Sequence, residues 1–132
     1  MLPKYHVLLG VLFCIILYPL FKINVILIFL AAVFIDFDHY LRYLITNNDT
    51  SLKNAYKFHL TGEFHNILDI FHTIEVFILL VILSFYSNLF YFILIGVTFH
   101  QIFDLIDLIY KKWYDARAYS LIFWLKNKYE NK

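Results

Sequence analysis

Residues 23–39 read INVILIFLAAVFIDFDH. From Ile23 to Ile35 the stretch carries no charge, and Asp36, Asp38 and His39 follow at once. The apolar part reads as a helix in an apolar setting, shorter than the ~20 residues a spanning helix needs. The shortfall closes if the helix runs on through its polar end.

Three other runs share this character: Val7 to Phe21, Ile74 to Tyr86 and Leu89 to Phe103. Polar residues continue the helical pattern beyond the third and fourth runs as well, on one side only. Pro19 and Lys22-Ile23-Asn24 read as the turn between the first two runs, and Ser87-Asn88 as the turn between the last two. Short connections make antiparallel neighbours. The expected fold is all-α: an integral membrane four-helix bundle of two helical hairpins, forming a single membrane domain over residues 1–132.

Composition agrees. Apolar residues make up 62% of the chain and charged residues 16%, where a soluble domain is nearer to about half and a quarter. A globule of 132 residues could not hide so much apolar surface. The net charge of +1 offers no basic surplus for nucleic acid. The single Cys14 has no partner for an intrachain disulfide and reads as a small packing residue. Lys4 and the first run imitate a signal peptide. Bulky Tyr18-Pro19-Leu20-Phe21 provides no cleavage site, so a retained membrane helix is expected.

Lys and Arg set orientation. Lys22 lies in the first turn. Lys4, Arg42, Lys53, Lys57, Lys111, Lys112, Arg117, Lys126, Lys128 and Lys132 all fall on the other side. This predicts a multi-pass protein of the cell (inner) membrane with both termini and the central loop cytoplasmic. In that loop, Thr50-Ser51 caps a short helix through Leu52, Ala55, Tyr56 and Phe58, and Gly62 ends it. The tail from Lys111 to Lys132 interleaves Trp113, Tyr114, Tyr119, Leu121, Phe123 and Trp124 with basic residues, as an interfacial amphipathic helix does.

The ionisable groups then collect at one face. His6 opens the first helix, and Asp36, Asp38 and His39 close the second. His65, Asp69, His72 and Glu75 enter the third, and His100, Asp104 and Asp107 leave with the fourth. His65, Asp69 and His72 are spaced i, i+4, i+7, and His100, Asp104 and Asp107 repeat that interval, which puts each trio on one helix face. Facing helices build metal sites this way. Imidazole with carboxylate suits zinc, manganese or iron, and the lack of thiolates excludes a Cys-type structural zinc site. A cation would also relieve repulsion among clustered carboxylates. Against this, a histidine within a bundle can be only a hydrogen-bonding residue between helices. His59 reads as an interfacial residue, and Asp49, Asp115 and Glu130 as solvated. Glu75 stays open between ligand and ion-pair partner, Asp69 is an open ligand candidate, and Asp107 reads as a residue behind a ligand imidazole.

Asp36-Phe37-Asp38-His39, preceded by His6 and followed by His65, His72 and His100-Gln101-Ile102-Phe103-Asp104, resembles the LexA-regulated inner-membrane metal-dependent hydrolase family. That family is grouped distantly with zinc-dependent phospholipase C and related nucleases. The resemblance runs through motifs between His6 and Asp107. It implies a site of His6, Asp36, Asp38, His39, His65, His72, His100 and Asp104 holding one to three divalent ions.

The expected function is membrane-embedded, metal-dependent hydrolysis of phosphate esters, lipid-linked ones included. Asp36, Asp38 and His72 are its candidate catalytic residues, and zinc or manganese its cofactor. Lys53, Lys57, Arg42 or Arg117 would receive the phosphate. The alternatives are a membrane metal-ion carrier or sensor, which needs ligands along a path to both faces, and a non-catalytic scaffold.

Overall fold

A computed structural model describes residues 3–61, 67–114 and 117–130. Among the described residues there are helices and no strands. α1 spans Pro3–Phe21, α2 Val25–Phe34, α3 Phe37–Asn47, α4 Leu52–Thr61, α5 Ile74–Ser84, α6 Asn88–Lys111 and α7 Leu121–Glu130. Short 3₁₀ turns cover Lys22–Asn24 and Ile70–His72.

Two stretches are long and apolar enough to cross a membrane: Lys4–Asn47 and Asn88–Lys111. The first is folded back on itself, because Lys22 takes a left-handed φ of 47°. That turn sends α2 back along α1. At 1.5 Å per residue α1 is about 28 Å long and α6 about 36 Å, against a hydrocarbon core of about 30 Å. Ile74–Ser84 is apolar but shorter.

α2 and α6 form the centre, with α1 against α2 and α5 against α6. Small residues let the central pair approach closely. A Cβ at Gly96 would collide with the Ile28 carbonyl oxygen and stand 2.9 Å from Ala31 Cβ. Ile28, Ala32 and Val97 bury themselves at this crossing. Elsewhere the usual distribution is inverted. Leu8, Ile15, Ile16, Leu20 and Phe85 are exposed, while His6, Asp38, Asp69, His72, His100 and Asp104 are buried. Water favours the reverse arrangement; lipid tolerates this one.

Three expectations change. The third apolar helix does not extend through its polar end. Asp69 is extended (φ −109°, ψ 103°), His72 lies in a 3₁₀ turn, and Thr73 is extended before α5 begins. Asp69 and His72 therefore do not share a helix face, and His65 and Gly62 lie outside the described residues. The tail is not one helix from Lys111: α6 stops at Lys112, left-handed at φ 57°, and α7 starts only at Leu121. Asp49 is more than a solvated carboxylate. It accepts from Tyr43 Oη (2.5 Å), Ser51 N (2.9 Å) and Asn54 Nδ2 (2.9 Å), tying the α3–α4 turn together behind left-handed Asn48. Tyr43, then Asn54 and Ser51, hold its carboxyl below the usual carboxylate range.

Ser51 and Ser87 cap α4 and α6 as their types suggest: Ser51 Oγ accepts from Asn54 N and Ser87 Oγ from Leu89 N, each at 3.3 Å.

The α2–α6 crossing predicts that Gly96→Ala destabilises by about 1–3 kcal/mol. The loss is read as a lower thermal midpoint by circular dichroism in detergent. Gly10→Ala, which meets only the Phe29 ring at 3.3 Å, is the tolerated control.

Candidate metal centre

Four elements bring ionisable side chains to one level. Asp36 stands in the break between α2 and α3, His72 in the 3₁₀ turn, and His100 and Asp104 one turn apart on α6. His6 comes from α1.

His100 and His72 are each fixed from behind. His100 Nδ1 donates to the Ala32 carbonyl at 2.7 Å, and His72 Nδ1 to Asp38 Oδ2 at 3.2 Å. A carbonyl and a carboxylate only accept, so the protons sit on Nδ1. In each neutral ring the lone pair is then on Nε2. The two Nε2 atoms face each other at 3.3 Å. Asp36 Oδ1 lies 3.3 Å from His100 Nε2 and 3.7 Å from His72 Nε2. Asp104 Oδ2 lies 3.5 Å and 3.6 Å from the same two atoms. The carboxylate oxygens complete a group whose members all lie within 4.8 Å of one another.

Five of the six separations have the length of tetrahedron edges. An ion with bonds of about 2.0–2.1 Å sets its ligand atoms about 3.3–3.4 Å apart. A proton on one Nε2 can point squarely at only one of the other three atoms. A divalent cation satisfies all four. Asp36, His72, His100 and Asp104 can therefore hold a metal ion.

The surrounding contacts brace the ligands. His6 Nε2 reaches Asp104 Oδ1 at 3.1 Å, and its ring stacks on His100 at 3.9 Å between centroids. Arg117 Nη1 donates to Asp104 Oδ2 at 3.1 Å. Asp38 Oδ2 also accepts from Phe71 N at 3.0 Å. Asp38, His39 and His72 make a second group within ligand range. Asp38 Oδ1 and His39 Nδ1 are buried, 3.0 Å apart, and without hydrogen-bond geometry to any partner among the described residues. Asp69 Oδ1 lies 3.1 Å from His39 Nδ1 and accepts from Arg42 Nη1 at 2.6 Å.

The structure thus gathers seven of the eight implied ligands, and His65 lies outside the described residues. Glu75 has another task. Its carboxylate accepts from Ser120 Oγ (2.5 Å), Leu121 N (3.0 Å) and Ile122 N (3.2 Å), at the start of α7. An anion there meets unpaired amides and the positive helix end. Asp107 pairs with Lys111 at 2.7 Å. His59 is half-buried on α4, bonded to the His39 carbonyl at 3.2 Å and near Arg42. Burial, then His39 and Arg42, push its pKa down.

A cavity of about 590 Å³ opens over the centre. Asp36, His39 and Asp104 border it, with Arg42, Lys111 and Arg117 beside them. Lys53 and Lys57 are not part of its wall. Arg117 owes its place to backbone pairing that no spacing rule reveals. Its neighbour Ala118 N donates to the Ile67 carbonyl at 2.7 Å, and Ile74 N donates to Tyr119 O at 2.9 Å.

No family model, curated protein or solved structure matches this chain.

The geometry predicts that detergent-purified protein retains a divalent metal by elemental analysis, and that a chelator lowers its melting temperature. His100→Ala and Asp36→Ala should lose the metal; full metal content in both would remove the centre. Glu75→Gln should keep the metal while amide exchange at Leu121 and Ile122 speeds up several-fold, since only the α7 clamp is weakened.

Proposed function

We propose that this chain is a membrane-embedded, metal-dependent phosphate-ester hydrolase. The observation that carries the reading is the set of four donors with five edges of 3.3–3.7 Å, two of which, Asp36 and Asp104, border a cavity that also presents Arg42 and Arg117. In this reading α1, α2–α3, α5 and α6 are four crossings, with both termini on the side of the centre. The basic residues gathered on that side support a cytoplasmic assignment. The motif resemblance to the LexA-regulated inner-membrane hydrolases points the same way.

The ligand chemistry, two imidazoles and two carboxylates, favours zinc. Held by Asp36, His72, His100 and Asp104, zinc would supply Lewis acidity that lowers the pKa of a water and offsets developing negative charge. The chain's own residues do the rest. Asp38 and the Ala32 carbonyl keep the His72 and His100 lone pairs aimed inward. His6 holds the outer oxygen of Asp104. Arg117 and Arg42 receive the non-bridging oxygens, whose charge grows in the transition state. His39, on the cavity wall with Nε2 3.5 Å from Asp36 Oδ1, carries the proton. It takes one from water as the water oxygen bonds to phosphorus. It returns one to the departing alkoxide as the phosphorus–oxygen ester bond breaks.

A carrier would need ligands toward both faces. The Lys22 and Ser87 turns have neither acid nor histidine beside them.

Zinc- or manganese-loaded protein should hydrolyse p-nitrophenyl phosphate or bis(p-nitrophenyl) phosphate, and Asp36→Ala should fall to background. Arg117→Gln should lose about 10²-fold in kcat/KM while keeping its metal. Equal turnover by wild type and Asp36→Ala would end the hydrolase reading.

A further inference from the structure

The wall of the cavity is more selective than a phosphate alone requires. Leu52, Ala55, Tyr56, His59 and Leu60 of α4 all line it. Their spacing is i, i+3, i+4, i+7, i+8, the whole inner stripe of an amphipathic helix. Such a stripe ordinarily packs on a protein core. Here Leu52 remains 70% exposed and Leu60 48%. The end of α6 lines it too, where Asp104, Asp107, Leu108 and Lys111 follow i, i+3, i+4, i+7, with Trp113 just beyond. α6 thus brings charge to the wall, and α4 a mostly apolar stripe.

The lining holds four carboxylates, Asp36, Asp69, Asp104 and Asp107, against Arg42, Lys111 and Arg117, with His39 and His59 between them. A divalent ion bound among the carboxylates would add two positive charges to this wall and so favour an anion beside it. Arg117 is ready for it: Nη1 is occupied by Asp104, while buried Nε has no hydrogen-bond partner among the described residues. A buried guanidinium N–H left unmatched is costly, and a phosphoryl oxygen would satisfy it.

Resting on the hydrolase reading above, we propose that the substrate is an amphiphilic phosphate. Its phosphoryl group sits between Arg117 and the metal ligands, and its hydrocarbon chain lies along the Leu52–Leu60 stripe of α4. The chain supplies binding energy through apolar burial against α4. The head supplies orientation. A soluble phosphate ester offers the same head without the chain, so the two sources separate by experiment.

The probe is a long-chain alkylphosphonate brominated on its chain, whose carbon–phosphorus bond resists hydrolysis. Trp113 borders the cavity, and Trp124 is the only other tryptophan. Full-length Trp124→Phe protein, zinc-loaded in detergent micelles, therefore reports from one position. Saturable quenching of Trp113 is expected, at least about tenfold tighter than methylphosphonate measured by competition. The brominated alcohol of equal chain length should show no saturation. Chelation should abolish the saturable component, and Leu60→Asp should weaken it about tenfold with metal content unchanged.

Methylphosphonate competing as tightly as the chain-bearing probe would overturn the proposal in favour of a soluble phosphate ester. Saturation by the brominated alcohol with the same midpoint would overturn it as mere partitioning. Metal content and turnover of bis(p-nitrophenyl) phosphate are measured on the same samples. If they persist while the quenching fails, the chain site alone falls. Saturable, metal-dependent quenching without turnover keeps the amphiphile site and removes the reaction.

Discussion

Four electron-pair donors, five of their six separations only 3.3–3.7 Å, repel one another unless positive charge lies between them. The rest of the polar layer answers that constraint. His6 and Arg117 take up the remaining charge of Asp104. Asp38 and the Ala32 carbonyl stand behind the two histidines and fix which nitrogen faces inward. In surroundings of low polarity such a network is strong when every member is matched and costly when one is not. The arrangement is thus legible as a cradle whose braces all act on the same few atoms.

The cradle is built where helices break. Asp36 sits in the gap between α2 and α3, His72 in a single 3₁₀ turn, and Arg117 in an extended segment. Irregular backbone at membrane depth survives only where its amides and carbonyls find partners. Here the functional groups supply several of them. Phe71 N is held by Asp38, and Leu121 N and Ile122 N by Glu75. Ile67 and Tyr119 add two backbone acceptors. Asp38 thus serves the site and a break at once, while Glu75 serves a break alone.

The sequence made the apolar runs and the one-sided gathering of His and Asp visible, because both are patterns along a single dimension. His100 and Asp104 were legible as a pair because α6 is regular there. Asp69 and His72 were misread as helical because their i, i+3 spacing mimics a face. The real signal, Ile74 N donating to Tyr119 O just after an extended Thr73, involves residues far apart in sequence. The same is true of Glu75, whose partners lie forty-five or more residues on. Lys112 stopped α6 without the Gly or Asn that usually marks a left-handed cap. Asp49 looked solvated because nothing in its own type announces Tyr43 and Asn54 as partners.

Location reconciles two opposing demands. A charge at mid-bilayer costs a contested ~2.5–3.5 kcal/mol or more, so in the proposed membrane orientation a site with this many carboxylates belongs near the edge of the hydrocarbon, where water and ions reach it. Histidine nitrogens and carboxylate oxygens, on the other hand, must be kept dry enough that a cation prefers them to solvent. The burial pattern meets both. His100 is fully buried and Asp104 nearly so, while Asp36 and His39 are only partly covered and face the cavity. In the proposed orientation the apolar halves of α1, α2, α5 and α6 sit in lipid. The helices' polar ends and the clamped segment around Arg117 roof the centre. The amphipathic α4 then lies at the one height where a hydrocarbon chain and a phosphate are available together, because a bilayer offers that pair only at its interface.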